Sequence, residues 1–239
     1  MFPYDNPNFS RIFSVLAAVL IFSFGATSFA SMPAVDRFED AVPAIQGTWY
    51  DLDGNEAFVI IGDSFNGRKI LSAANKLGST RSHSAEFCIE GENGEEPSYL
   101  DIVWMSNGRF IMVDGINYRN TKEPTYFESA RGVFLGMKQE DMLALLGEPT
   151  KSEANCNFIF PDMSVKTVGG MVHAIFLPSG GARLDGSGLG ADSAPEDFMA
   201  AYGLDEPLGN KNREIGTCGE KLKLLNIRPK TILLSFSDT

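Results

Sequence analysis

The sequence predicts an α+β protein: an N-terminal antiparallel β-barrel or sandwich, then a C-terminal region of two helix-plus-antiparallel-sheet units. Three observations point there. Short β-rich runs recur between turn residues over residues 40–122. EDMLALLG (Glu140–Gly147) and EDFMAAYG (Glu196–Gly203) align without a gap, 56 residues apart (196 − 140). Each is followed by Pro and then by further β-rich runs.

The chain opens on a segment set apart from the rest. Ile12–Phe24 reads IFSVLAAVLIFSF, an uncharged apolar run, and Ser28-Phe29-Ala30 follows with a small-x-small pattern. That combination predicts a signal peptide over residues 1–30, cleaved before Ser31. The alternative is an uncleaved N-terminal anchor, although the run is shorter than the roughly 20 residues of a confident span. The expected location is extracytoplasmic (periplasmic, cell-surface or secreted), with no stable membrane insertion after cleavage.

In the barrel region, IQGTWY and EAFVII flank DLDG, and Asp53-Gly54 predicts a hairpin because Gly tolerates positive φ. Strands are expected at RKILSA (68–73), HSAEFCIE (83–90), YLDIVWM (99–105) and RFIMVDG (109–115). Within HSAEFCIE the two-residue period puts Ala85, Phe87 and Ile89 inward and Cys88 outward. The character changes at Asn120–Pro124, which places the boundary with a second region at 126–239.

That second region opens with GVFLGMKQEDMLALLGEP, where Met137, Met142, Leu145 and Leu146 recur at near-helical spacing and Gly147 is the stop. NFIF (157–160) and a hairpin, SVKTV-GG-MVHAIFL, follow. A Gly-rich connector leads to the second helix, with Ser193 as the expected N-cap and Glu196 as its capping-box acid. KLKLLNI and TILLSF flank Arg228-Pro229 as a closing hairpin. The units of the repeat are residues 132–177 and 188–237.

Net charge is −11, and it stays −11 after residues 1–30 are removed, because Arg11 and Asp5 cancel. Such acidity, without a Lys/Arg cluster, argues against nucleic acid and anionic membrane partners. Three cysteines, Cys88, Cys156 and Cys218, allow one bridge after export. Cys156–Cys218 is the expected pair, since both follow equivalent helices; pairings through Cys88 stay open. Such a loop contributes roughly 4 kcal/mol in the chain-entropy model.

Few residues carry chemistry. Asp51, Asp53, Asn55 and Glu56 lack the twelve-residue spacing of a calcium loop and read as a turn. Gly186-x-Gly188-x-Gly190 precedes a helix but lacks Lys-Ser/Thr, so it reads as a connector. His83 and His173 read as surface or structural residues, and Cys88, between Glu86 and Glu90 on its face, reads as non-catalytic. No catalytic residue, metal ligand or cofactor is expected.

VFLGMKQEDMLALLGEPT resembles the opening helix of BamE/SmpA-type envelope domains, through Gly136, Met137, Asp141, Leu146, Gly147 and Pro149. A tandem pair of such units is also similar to the architecture of β-lactamase inhibitor protein. Gly47 and Trp49 in IQGTWY resemble the Gly-x-Trp of lipocalin-type barrels. The resembled α+β unit serves several roles, so fold alone does not set function; the expected function is a non-enzymatic protein-interaction or envelope-maintenance module with a protein partner. The alternatives are a small apolar ligand in the barrel, lined by Trp49 and Trp104, and a hydrolase whose triad assembles in space. Intact-mass measurement on protein from the native envelope is expected to give an N-terminus at or near Ser31; a Met1 terminus on a soluble cytoplasmic species would sink the export reading.

Overall fold

Eight antiparallel strands follow one another around a closed barrel: β1 (Gly47–Tyr50), β2 (Glu56–Ile61), β3 (Ser64–Phe65), β4 (Arg68–Asn75), β5 (His83–Ile89), β6 (Ser98–Trp104), β7 (Phe110–Val113) and β8 (Ile116–Arg119). The computed structural model describes residues 42–75, 83–105, 108–155 and 157–236, all within one compact unit, Arg37–Thr239. The signal segment expected over residues 1–30 lies outside the described residues.

Alternation fills the barrel. Trp49, Phe58, Ile60, Phe87, Ile89, Ile102, Trp104 and Ile111 all belong to one core cluster, and each such side chain contributes about 1.5–3 kcal/mol on burial. Ala85, Phe87 and Ile89 are buried and Cys88 is half-buried on the outer side, as the period requires. The barrel closes where Tyr50 of β1 pairs with Arg119 of β8. Beside that seam the Asp51 carboxylate accepts the N–H groups of Asp53 and Asn55 at 2.9 Å each, so DLDGN is an Asx-type turn. Gly54 sits there at φ 86°, and a Cβ would come within 2.8 Å of the Lys122 carbonyl. β3 answers to none of the expected strands, because one apolar residue, Phe65, makes no detectable period.

The chain then forms a small hairpin, β9 (Ser129–Ala130) with β10 (Val133–Phe134), followed by α1 (Gln139–Leu146) and strands β11 (Lys151–Glu153), β12 (Asn157–Ile159), β13 (Ser164–Val168) and β14 (Met171–Pro178). After the Gly-rich connector come α2 (Pro195–Tyr202), β15 (Arg213–Ile215), β16 (Glu220–Leu225) and β17 (Thr231–Phe236). Strands β11 to β17 make one continuous antiparallel sheet in the order β11-β12-β13-β14-β17-β16-β15. Met142 of α1 and Phe198 of α2 enter the same core as Val165, Ile175, Leu177, Leu222, Ile232 and Leu234, so both helices cover one face of that sheet.

The barrel and the sheet share a joint. Asn117 on β8 donates to the carbonyls of Val168 and Gly169 at 2.7 and 2.9 Å. Phe110 on β7 packs against Phe236, with ring centroids 5.1 Å apart. Lys138, which precedes α1, pairs with Asp53 of the barrel turn at 2.7 Å.

One local expectation is corrected and another is left without support. Helix α2 is capped by Ala194, one residue later than Ser193: Pro195 occupies the first turn and holds Ala194 extended, and the Asp197 carboxylate accepts the Ala194 N–H at 3.1 Å. Cys218 is a free thiol, as is Cys88; Cys156 lies outside the described residues, and the expected Cys156–Cys218 bridge has no support from Cys218.

Gly147 and Gly203 end their helices, donating to Leu143 and Met199 at 2.9 Å each. Gly203 is left-handed (φ 65°, ψ 34°), whereas Gly147 (φ 78°, ψ −163°) lies in a region open to glycine alone. An added Cβ would meet nothing within 4 Å at either, so only backbone strain is at stake. Urea unfolding is expected to show a loss of about 1 kcal/mol for Gly203→Ala and a larger one, about 1–3 kcal/mol, for Gly147→Ala. Equal or negligible losses would contradict this.

Candidate functional site

The second sheet has two faces of different character. Side chains paired across neighbouring strands share a face. One row crosses all seven strands on the face away from the helices: Glu153, Asn157, Lys166, Ala174, Ser235, Lys221 and Glu214. The next row on that face runs Lys151, Ile159, Ser164, Phe176, Leu233 and Lys223. Among the described residues, Ile159, Ala174, Phe176 and Leu233 belong to neither core cluster. Phe176, Leu233 and Ile159 are half-buried, and Lys166 is exposed.

This face is also electrostatically distinct. The two rows hold four lysines and two glutamates, a balance of +2 (4 − 2) in a chain of −11. Lys151 and Glu153 neutralise each other at 2.7 Å. Lys166 and Lys223 then stand on either side of Phe176-Leu233, while Lys221 lies opposite Glu214.

A second cluster is buried and polar. The Glu220 carboxylate accepts the N–H groups of Phe127 (2.9 Å) and Glu128 (3.1 Å). The Glu128 carboxylate accepts the N–H groups of Ser129 (3.0 Å) and Gly186 (2.8 Å) and the Tyr202 hydroxyl (2.6 Å). Asp185 adds its own grip, accepting the Ser129 hydroxyl at 2.7 Å and the N–H groups of Arg131 and Gly132 at 2.9 and 2.8 Å. The Gly-rich connector is thereby pinned to the segment that leads into the β9–β10 hairpin and to α2, and that segment is pinned to β16. Without these bonds the backbone N–H groups of Phe127 to Ser129, Arg131, Gly132 and Gly186 would lose these partners.

Ser187, Tyr202 and Glu128 form a hydrogen-bonded chain, with 2.6 Å at each link. Burial first, and the bond to Glu128 second, push the Tyr202 phenol above its ordinary value. A phenol that resists ionisation is a poor base for a serine hydroxyl at neutral pH. His173 lies against the Phe236 ring, 5.6 Å between centroids. The chain therefore reads as a structural tie.

Trp49 and Trp104, expected to line a ligand cavity, are 1% and 7% exposed within the barrel core. The Trp49 indole N–H donates to the Ile45 carbonyl at 2.9 Å, in the helical turn that precedes β1. A shallow groove of 540 Å³ lies elsewhere, between the end of α1 and the β11–β12 edge, lined by Leu143, Gly147, Pro149 and Phe158.

The sequence reading missed the lysine-rimmed face and the carboxylate cluster. The alternating KLKLL of β16 held a signal for the face, but not for which strands lie beside it. Glu128 and Glu220 carried no signal. Comparison with family models, with curated proteins and with solved structures finds no match.

Burial raises the Glu220 carboxyl to about 7, above its ordinary 4.5; its two backbone bonds and Arg109 oppose the rise, and Glu128 adds to it. The native state thus holds a proton that the unfolded chain releases at lower pH, so stability falls as pH rises from about 4.5 through 7. The span corresponds to about 3 kcal/mol. Urea unfolding at pH 5 and pH 8 is expected to show a smaller pH-dependent loss in Glu220→Gln than in the parent protein. An unchanged slope would refute this assignment.

Proposed function

We propose that this protein is a non-enzymatic interaction module that binds a protein partner through the open face of its second sheet. The observation that carries the reading is that face itself. Phe176, Leu233 and Ile159 sit outside both cores and are half-buried, which leaves part of their apolar surface for a partner to cover. The apolar run at 12–24 with Ser28-Phe29-Ala30 supports an extracytoplasmic setting for that partner.

The same proposal takes the region beyond Pro124 as two repeated helix-plus-sheet units, the architecture implied by the BamE-like and inhibitor-protein-like resemblance. Its support is a constant offset. Helices α1 and α2 begin at 139 and 195, β12 and β15 at 157 and 213, and β13 and β16 at 164 and 220, each 56 residues apart. The offset grows to 60 between β14 and β17 (231 − 171), across the longer loop that holds Arg228-Pro229. β14 and β17, the last strand of each unit, pair with each other. The ligand-binding alternative is weaker because Trp49 and Trp104 sit in core packing.

A photo-crosslinking residue placed at Phe176 or Leu233 in the native host is expected to give a discrete protein adduct. The same residue at Ile116, an exposed barrel position, should give none. Equal labelling at all three positions, or saturable quenching of Trp49 fluorescence by an apolar small molecule, would overturn the reading.

A further inference from the structure

We propose that two copies of this chain associate edge to edge through β11, each continuing the other's sheet about a two-fold axis at Ser152. The proposal stands apart from the partner role argued above. β11 closes one side of the seven-stranded sheet, and among the described residues no strand lies beyond it. Lys151 and Ser152 are exposed there, and Glu153 is half-buried. A strand in this position offers unpaired backbone groups to a second strand.

Hydrogen-bond alternation shows which groups those are. The Phe160 N–H donates to the Met163 carbonyl at 2.8 Å, so Phe160 turns its backbone groups toward the β13 side. An antiparallel strand turns successive residues to opposite neighbours. Phe158 therefore faces β13 as well, while Asn157 and Ile159 face β11. Their partners across β11, Glu153 and Lys151, are used in that ladder. Ser152, opposite Phe158, points its N–H and carbonyl away from the sheet. Two Ser152 residues related by a two-fold axis would satisfy each other through a reciprocal pair of N–H to carbonyl bonds.

The side chains fit the same register. Pairing about Ser152 sets Lys151 opposite Glu153 of the second copy, and Glu153 opposite its Lys151. Within one chain these two already meet at 2.7 Å. Association keeps that contact and adds two more, because the four charges alternate in sign around the axis and like charges meet only across the diagonals. Moving the axis to Lys151 or to Glu153 would set like charges face to face. A strand of another protein would meet the same backbone groups, but it would need a Lys-x-Glu of its own to match the charges. A second copy brings one.

An apolar groove runs along this edge on the helix side. Leu143, Gly147, Pro149 and Phe158 line its 540 Å³, and Phe158 shares that face with Ser152. The axis sets the two grooves side by side, so each copy covers apolar surface that the other leaves in water. Glu148 also lines the groove. It stands four residues from the axis (152 − 148), and the antiparallel run carries the two Glu148 carboxylates to opposite ends of the contact.

The test is sedimentation velocity on protein isolated from its native host, from about 1 μM to about 1 mM, the span in which a small contact dissociates. The parent is expected to pass from monomer to dimer within it. Lys151→Glu should raise the dissociation constant at least about tenfold, and Lys151→Glu with Glu153→Lys in one chain should restore it to within about threefold of the parent. Mixed together, the single variants Lys151→Glu and Glu153→Lys should pair with each other more tightly than either does with itself. Ser152→Pro removes the outward N–H and spares the β11–β12 ladder, so its circular dichroism should match the parent's while the dimer is lost. Lys69→Glu, at an exposed barrel position, should leave the constant within about twofold. A parent that stays monomeric throughout, a dimer that survives Ser152→Pro, or a charge swap that associates no better than Lys151→Glu would each overturn the proposal.

Discussion

The pairing of β14 with β17 is the constraint on which the second half of this protein depends. Five residue pairs, from Ala174-Ser235 to Pro178-Thr231, join two hairpins that are far apart in sequence into one sheet. A strand presents alternate residues to opposite faces, so this register decides two surfaces together. It sends Ile175, Leu177, Ile232 and Leu234 into the core beneath α1 and α2. It sends Ala174, Phe176, Leu233 and Ser235 to the other side. A slip by one residue would exchange the two sets, exposing the core residues and burying a lysine-flanked row. The helices therefore hold the register, and the register in turn creates the open face.

The polar cluster around Glu128 and Glu220 completes that arrangement. A loop as rich in glycine as residues 186–190 has much conformational freedom to lose on folding. Here its first residue, Gly186, donates to the Glu128 carboxylate, 3% exposed, and the backbone of Glu128 is in turn held by Glu220, 1% exposed. Leaving such groups unpaired would cost a few kcal/mol each, so the bonds act more by removing a penalty than by adding attraction. Their arrangement ties four chain segments to one another, and the joint at Phe110, Asn117 and Asp53 ties the barrel to the sheet. The face away from the helices consequently stands on a scaffold held from behind at several points.

Local periodicity was readable wherever the period ran long enough. HSAEFCIE declared its inner face, and Cys88 lies outside as that pattern requires. SVKTV-GG-MVHAIFL and the run on either side of Arg228-Pro229 declared hairpins, and DLDGN declared a turn. Strands of two or three residues, such as β3, β11 and β15, were not readable, because their pairing comes from neighbours rather than from their own pattern. The cap of α2 moved from Ser193 to Ala194 for a local reason, the ring of Pro195, which outweighed the side-chain preference.

What the sequence by itself determined is the kind of element at each place: a meander of short strands, two short helices ended by Gly147 and Gly203, and an acidic chain. These follow from forces that act within a few residues, namely side-chain period, turn stereochemistry and charge. Only the tertiary structure decided that the barrel closes through Tyr50 and Arg119, that Trp49 and Trp104 are core, that Glu128 and Glu220 are buried together, and that Lys166, Phe176, Leu233 and Lys223 share one open face. Each of these depends on contacts between residues dozens of positions apart, and no local pattern encodes which strand will lie beside which.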